Sequence, residues 1–246
     1  MCDGGSCTAG KGWRGWPQFP LQRAGIPAGG WRDLTWPLSP SVPRIASVPP
    51  PRIERIRAIP EQPLNISELH MVVHTGTHVD SPRHFYSDGP AFEDIPLERL
   101  MGSGVVWRID KPLGSLIEPS DLDALEPAIQ AGDIVAIDTG AEARVGKPDY
   151  DLHPYFSVAA AEWLVKKQTK LFAIDTPTPD APLERRPADF NWPVHRILLG
   201  AGVLIVEQVT NLAGLAGQRV EFLFCCLNIV DCDGSPARVL AREIAA

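Results

Sequence analysis

The segment from residue 70 to residue 85 restricts what this chain can fold into more than any other part of its sequence. Four of the chain's six histidines lie there, at positions 70, 74, 78 and 84. Three valines and two threonines stand between them, Gly76 interrupts the run and Pro82 follows it. Because β-branched residues, glycine and proline all disfavour a helix, the segment is predicted to be extended.

In an extended chain, residues of equal parity share one face. His74, His78, Asp80 and His84 all stand at even positions, whereas valines and threonines occupy the odd positions from 73 to 79. Neutral imidazoles and a carboxylate are ligands that Zn²⁺ and Mn²⁺ bind. The pattern therefore predicts a metal site on one face, the alternative being a polar strand edge. His70 stands apart at the start, and we expect a structural or surface role for it.

A site confined to one short segment would be exposed, which directs attention to residues elsewhere in the chain. Glu207 ends the apolar run 203–206, and a carboxylate buried there would need a partner. His195 lies twelve residues earlier, on a predicted short helix, and a helix–strand reversal could bring the two together. The residues alone do not exclude that Glu207 caps a helix or forms a salt bridge, or that His195 is an ordinary helix histidine without a metal. Asp175, just after another apolar run, is expected to cap a turn.

Strands and helices alternate irregularly along the rest of the chain, which predicts an α/β domain with a mixed sheet. The predicted strands are Val105–Ile109, Ile134–Ile137, Leu171–Ile174, Val203–Val206, Val220–Ile229 and Pro236–Ala241. The predicted helices are Asp121–Gln130, kinked or split at Pro127, then Val158–Lys167, capped by Ser157, and Pro193–Leu199, ended by Gly200.

With 246 residues, 44 % of them hydrophobic, the chain is long enough for one domain with a large core. Residues 1–30 are rich in Gly, Pro and Trp without a regular period and are predicted to form an arm; residues 31–246 form the domain. Exposed tryptophans are costly unless they cover something. We therefore expect the arm to pack on its own domain or on a partner subunit.

Charge and cysteine usage exclude several classes of protein. Acidic residues outnumber basic ones by 30 to 23, which argues against nucleic-acid binding. The sequence contains no run of 18 apolar residues and begins without the layout of a signal peptide, so no membrane association and a cytoplasmic location are expected. Five cysteines without zinc-pair spacing predict buried reduced thiols.

The histidine segment resembles the signature H-x-G-T-H-x-D-x-P-x-H-F of the cyclase family, which includes bacterial kynurenine formamidase, isatin hydrolase and a dienelactone hydrolase. The matching run is His74-Thr75-Gly76-Thr77-His78-Val79-Asp80-Ser81-Pro82-Arg83-His84-Phe85. Weaker landmarks follow in the family's order: Asp138-Thr139-Gly140, Ile174-Asp175-Thr176-Pro177, the spacing of His195 and Glu207 followed by Thr210-Asn211-Leu212, and Asp233-Gly234-Ser235-Pro236-Ala237-Arg238.

The resemblance implies a single α/β domain whose mixed sheet or barrel-like core is flanked by helices. It implies that His74, His78 and Asp80 bind one metal ion, that Asp80 bridges to a second ion, and that His195 and Glu207 hold that second ion. His84 would be the general acid/base. The presence of Glu207 favours the two-metal form, with Zn²⁺ or Mn²⁺ as cofactor, and the family suggests a homodimer or homotetramer.

The resemblance implies metal-dependent hydrolysis of a C–N amide or lactam bond in a small aromatic substrate by a metal-activated water, as in an arylformamidase. Lactone or isatin-type ring opening, or a cyclisation or dehydration, is the alternative in the same site. A non-catalytic metal-binding protein is the second alternative. The sequence contains neither a G-x-S-x-G nucleophile motif nor a phosphate-binding glycine loop, which argues against a serine hydrolase or an NTPase.

Overall fold

The computed structural model describes residues 12–19 and 28–245. The remaining part of the arm, with Cys2 and Cys7, lies outside these residues. Strands dominate the described part, and its helices are few and short. The strands are β1 (Arg32–Asp33), β2 (Arg52–Arg57), β3 (Ile66–His70), β4 (His78–Asp80), β5 (Met101–Arg108), β6 (Leu116–Ile117), β7 (Ile134–Asp138), β8 (Tyr155–Phe156), β9 (Leu171–Ile174), β10 (Leu204–Glu207), β11 (Gln218–Cys226) and β12 (Gly234–Glu243). The helices are α1 (Pro119–Leu122), α2 (Val158–Lys166) and α3 (Pro193–Gly200).

Seven of the strands form a closed ring in the order β12-β11-β5-β7-β9-β10-β4, because β4 pairs back to β12. The four neighbours β5, β7, β9 and β10 run parallel, whereas β4, β11 and β12 join antiparallel to their neighbours. Strand β1 adds to the outside of β12. The predicted mixed α/β domain with a barrel-like core is therefore confirmed, and closure removes the unpaired edges that an open sheet would expose.

Both faces of the parallel strands are buried. Along β7, Ile134 and Ala136 pack inside the barrel, whereas Val135 and Ile137 pack outward under the helices. Helices α2 and α3 supply the outer layer, with Leu164 and Leu198 among its fully buried side chains. This double burial explains why these strands are continuous apolar runs instead of alternating ones.

The predicted strands and the second and third helices are confirmed, with ends shifted by a few residues. Ser157 caps α2 through a 3.1 Å hydrogen bond from the backbone N–H of Ala160. The prediction of a helix over residues 121–130 is wrong, because α1 makes a single turn. The chain leaves the helix before Pro127, whose carbonyl instead accepts a hydrogen bond from Trp107.

The β2–β3 hairpin was not predicted, and all residues of its two strands are exposed in the described part of the chain. The prediction of buried thiols is wrong for Cys225, which is exposed; Cys226 and Cys232 are half-buried, and all three are free. None of the helices within the described residues is both long and apolar enough to cross a membrane.

Gly104 marks the closest approach of β5 and β7. A Cβ atom there would lie 2.0 Å from the carbonyl oxygen of Ile134, so the two strands could not keep their pairing. We expect Gly104→Ala to lower the free energy of unfolding by roughly 3 kcal/mol, the upper part of the usual range for an overpacked core. Chemical denaturation measures this change. Gly30→Ala, where nothing lies within 4 Å of the added atom, is the control and should be close to neutral. An equal effect of the two would contradict the steric explanation.

Candidate metal centre

The register between β4 and β10 builds the core of the candidate site. Val79 and Val206 are paired and both pack inside the barrel, so their neighbours point outward. His78 is paired directly with Glu207 across the two strands, and Asp80 lies on the same face of β4. These three side chains therefore converge on the outer surface of the barrel, where α3 covers them.

Helix α3 contributes His195, and Asp180 fixes its orientation. The Asp180 carboxylate accepts hydrogen bonds from the backbone N–H groups of Val194 and His195, both at 3.0 Å. It also accepts one from Nδ1 of His195 at 2.6 Å. The other ring nitrogen, Nε2, is left 3.1 Å from Oε1 of Glu207 and 3.5 Å from Oδ2 of Asp80.

His78 is oriented in the same way. Its Nδ1 donates a 2.7 Å hydrogen bond to the carbonyl of Gly76, so its Nε2 faces the carboxylates. That nitrogen lies 3.3 Å from Oδ1 of Asp80 and 3.5 Å from Oε2 of Glu207. A positive φ of 65° at Gly76 permits the turn that delivers this carbonyl.

The spacing of these atoms fits a metal ion better than a hydrogen-bond network. Two ligands bound to one tetrahedral Zn²⁺ at about 2.0–2.2 Å are separated by about 3.3–3.5 Å. Three of the four distances from the two Nε2 atoms fall in this range. In addition, Nε2 of His78, Oδ2 of Asp80 and Oε1 of Glu207 are buried and have no hydrogen-bond partner among residues 12–19 and 28–245. Such orphaned polar atoms are costly, and a shared cation would satisfy them.

His74 and His84 reach the site by a route different from the one predicted. The prediction of one continuous extended segment is wrong, because only His78–Asp80 forms a strand. His74 lies in the preceding bend, and His84 ends a short 3-10 helix, Pro82–His84. The two rings nevertheless stack, with centroids 4.0 Å apart, so the segment does bring its three histidines and Asp80 together.

Asp233 connects these two rings. Its Oδ2 lies 2.8 Å from Nε2 of His74 and 3.3 Å from Nδ1 of His84. The second ring nitrogen of His74 lies 2.7 Å from Oδ1 of Asp80. His74 therefore has a carboxylate at each ring nitrogen, at hydrogen-bond distance, whereas His78 and His195 each keep one nitrogen turned toward the orphaned oxygens.

The electrostatics of the centre favour positive charge. Burial alone would lower the pKa of His74, but the charges of Asp80 and Asp233 outweigh it and raise the pKa to about 10. For Asp80, burial raises the pKa, and the charge of His74 with the nearby ring nitrogens of His195, His74 and His78 more than reverses this, holding the pKa well below its usual range. Burial also opposes protonation of His195, yet its hydrogen bond to Asp180 and the nearby carboxylates of Asp80 and Glu207 raise its pKa. Such a site binds cations, whether protons or metal ions.

Two other predicted residues lie away from the centre. His70 is exposed at the end of β3, as expected for a surface residue. Asp175 accepts hydrogen bonds from both the backbone N–H and the hydroxyl of Thr139 and from the N–H of Ala141, which is the expected turn-capping role. Burial and the neighbouring Asp138 raise the pKa of Asp175 to about 7 against these hydrogen bonds.

Sequence reasoning missed Asp180 as a member of the centre and treated Asp233 only as part of a turn. The signal for Asp233 was its place in the Asp233–Arg238 run, whereas nothing in the sequence around Asp180 pointed to His195 fifteen residues later. An aromatic surface beside the site was also not predicted. The ring of Phe85 lies 4.7 Å from that of His84 and 5.0 Å from that of His195, and Trp192 lies 6.4 Å beyond it.

Comparison with known proteins places these features in a family. The Cyclase family model, described as "Putative cyclase", matches residues 32–181, well over half of the chain. Kynurenine formamidase from Bordetella avium (strain 197N) is 29% identical over 214 residues, covering 86% of this chain and 97% of that protein.

Solved structures agree in fold. Isatin hydrolase A from Ralstonia solanacearum superposes with a TM-score of 0.77 at 29% identity, covering 86% of this chain and 91% of the other. A structure titled as a potential metal-dependent hydrolase with cyclase activity gives a TM-score of 0.72 at 28% identity, covering 88% of this chain and 99% of the other.

Asp180 offers a direct test of how His195 is oriented. Asp180→Asn keeps an oxygen that can cap α3 but removes the charge that holds Nδ1 of His195. Changes of this kind beside metal ligands cost about 10–100-fold in metal affinity, and we expect a loss in that range. Competition with a chromogenic chelator measures it. Asp189→Asn, an exposed change in the same loop, is the matched control and should bind metal like the unaltered protein. Unchanged affinity in Asp180→Asn would restrict Asp180 to helix capping.

Proposed function

The chain belongs to the cyclase family, and from that premise we propose that it hydrolyses a C–N amide or lactam bond in a small aromatic substrate. The observation that carries the proposal is the convergence of His78, Asp80, His195 and Glu207. Three of their buried polar atoms have no hydrogen-bond partner in the described part of the chain. Two similar proteins are named a kynurenine formamidase and an isatin hydrolase, a third is titled a potential metal-dependent hydrolase, and this donor set fits a metal.

Two metal ions are proposed for the centre. His78, Asp80 and His74, once it has lost a proton, would hold the first, and Asp80, His195 and Glu207 would hold the second. Asp80 lies between the two histidine groups with one oxygen toward each, which supports a bridging role. Imidazole and carboxylate donors suit Zn²⁺ and Mn²⁺ alike. Bound there, such an ion supplies a water molecule of pKa about 7 and polarises a carbonyl group.

His84 is the proposed proton carrier. Its Nδ1 lies 3.3 Å from Oδ2 of Asp233, and a hydrogen bond donated by Nδ1–H to that carboxylate leaves Nε2 as the basic nitrogen. The side chain is partly exposed, whereas His78 and His195 are buried. A base that is accessible to substrate can take the proton from the attacking water and return it to the leaving nitrogen. Stacking on His74 restricts the rotation of the ring.

The aromatic surface supports an aromatic substrate. Phe85 is in ring contact with both His84 and His195, and Trp192 continues the surface outward with 40% of its area exposed. Trp192 adopts a left-handed backbone conformation with a φ of 52°, which is strained for a bulky residue. Strain of this kind often lies at functional sites, and here it immediately precedes the helix that carries His195.

Ring opening of an isatin-type lactam or a lactone is the second candidate. The similarity to isatin hydrolase A favours it, since that protein covers nearly the whole domain at the same identity as the formamidase. Parallel assays of the metal-loaded protein distinguish the candidates. They use three substrates: N-formylkynurenine as the arylformamide, isatin as the lactam and a dienelactone as the lactone. No turnover of any amide, lactam or lactone, despite bound metal, would favour a non-catalytic metal-binding protein.

His84 and His78 are expected to give separable effects. His84→Ala should keep its bound metal and lower kcat by about 10²–10⁴-fold, the usual worth of general acid/base catalysis. His78→Ala and Asp80→Asn should lose both metal and activity, because they remove ligands. Elemental analysis of the purified variants and steady-state kinetics on the best substrate measure both. His70→Ala, an exposed histidine on β3, is the control. Near-full activity in His84→Ala would refute the acid/base assignment.

We also propose a homodimer or homotetramer, with the β2–β3 hairpin in its interface. All residues of both strands are exposed, including Ile53, Ile56 and Leu69, and a two-stranded hairpin without a packing partner is only marginally stable in water. A second copy of the chain could cover these side chains.

The assembly is tested by the mass in solution. Ile56→Glu should lower the mass measured by light scattering toward that of one chain, because it buries a charge in the interface. Val158→Glu replaces a residue of similar exposure on α2 and should leave the mass unchanged. A monomeric mass for the unaltered protein would contradict the proposal.

A further inference from the structure

A cavity lies at the end of the barrel opposite the candidate metal centre. The parallel strands β5, β7 and β9 begin at this end, whereas Glu207 stands where β10, parallel to β9, finishes. The cavity has a volume of about 450 Å³, and Arg99 and Lys170 are among its lining residues. The arm residues Trp16 and Phe19 also line it.

Arg99 is a buried cation with incomplete hydrogen bonding. The residue is only 5% exposed, and its Nη2 donates to the carbonyl of Pro17. Its guanidinium carbon lies 4.9 Å from the ring centre of Trp16 and 4.6 Å from that of Phe19. Ring faces attract the charge, but Nη1 has no hydrogen-bond partner among the described residues. Charge compensation comes through space from Glu98, an exposed residue at the rim.

Lys170 places a second buried cation in the same cavity. It is 7% exposed, and its ammonium group, which has three donors, gives one 2.7 Å hydrogen bond to the carbonyl of Met101. The charge of Asp133 stabilises the protonated form of Lys170 through space. The same carboxylate accepts hydrogen bonds of 2.7 and 2.9 Å from Arg219. Burial and repulsion by the charge of Arg99 together lower the pKa of Lys170 to about 8.

We propose that this cavity is a binding site for a small oxyanion, a carboxylate or a phosphate, held by Arg99 and Lys170 beneath the arm. Such an anion supplies the acceptors that the spare N–H groups lack and relieves the repulsion between the cations. The faces of Trp16 and Phe19, with Pro96, give the cavity an apolar wall. An organic carboxylate with a small aromatic body therefore fits the lining better than a bare inorganic ion.

This site lies apart from the proposed hydrolase site. None of its lining residues belongs to the candidate metal centre, so the inference goes beyond the proposed function. Its volume lies within the range of about 300–1,000 Å³ that is typical of pockets for small molecules.

Calorimetric titration of the metal-loaded protein tests the proposal with benzoate, inorganic phosphate and neutral benzamide as probes. We expect benzoate to bind at one site per chain, more weakly at high salt, and benzamide not to bind. Arg99→Met and Lys170→Gln should each weaken benzoate binding by about tenfold or more, since each removes hydrogen bonds to a charged group. Lys166→Gln, which makes the same change as Lys170→Gln in the exposed last turn of α2, is the matched control and should bind like the unaltered protein.

Each outcome bears on the proposal. Binding of phosphate without benzoate supports an oxyanion site but excludes the organic ligand. Equal benzoate binding by the unaltered protein and both variants would move the anion to the metal centre and overturn the proposal, as would equal binding of benzamide or no binding at all. Circular dichroism checks the fold of each variant. If Arg99→Met fails to fold, Lys170→Gln alone decides, because its single hydrogen bond is the smaller loss.

Discussion

Strand β4 holds both the fold and the candidate metal centre together. It has only three residues, yet it pairs with β10 on one side and β12 on the other, and these pairings close the barrel. The same register sets His78 opposite Glu207 and Asp80 opposite Gly234. A Cβ at Gly234 would lie 2.8 Å from the ring of His74, so the absence of a side chain there lets the histidine approach Asp80. The same strand pairings therefore close the barrel and bring the residues of the candidate centre together.

Hydrogen-bond acceptors around the candidate centre orient its histidine rings. Asp180, the Gly76 carbonyl and Asp233 each accept a hydrogen bond from one ring nitrogen of His195, His78 and His84, respectively. For His195 and His78 the opposite nitrogen then faces buried carboxylates, which favours a metal. For His84 the opposite nitrogen belongs to an accessible ring beside Phe85, which favours proton transfer. The proposed division between metal ligands and proton carrier therefore rests on burial and orientation, since the side chains are identical.

The predictions from sequence succeeded where the local signal agreed with the environment. The apolar runs of β7 and β9 and the Ser157 cap of α2 were sufficient because tertiary packing reinforces them. The prediction of a helix over 121–130 failed because the helix begins earlier, with Asp121 accepting the N–H of Glu118, and ends after a single turn at Leu122. The hairpin β2–β3 was missed because the apolar residues of each strand lie three positions apart and neither strand has a buried face, so its pattern lacks the period of two that predicts a strand.

By itself, the sequence determined the chemistry of the site: the types of donor, their grouping between residues 74 and 84, and the buried carboxylate at the end of β10. It did so because ligand identity is a property of side chains and their spacing. Only the tertiary structure decided the arrangement. The histidines and Asp80 do not meet because they share one face of an extended strand, as their even positions had suggested. A bend and a 3-10 helix, with one short strand between them, bring these residues together. Asp180 and Asp233 joined the centre through contacts across 15 and 159 residues, and distances of that kind are fixed by packing, which no local pattern encodes.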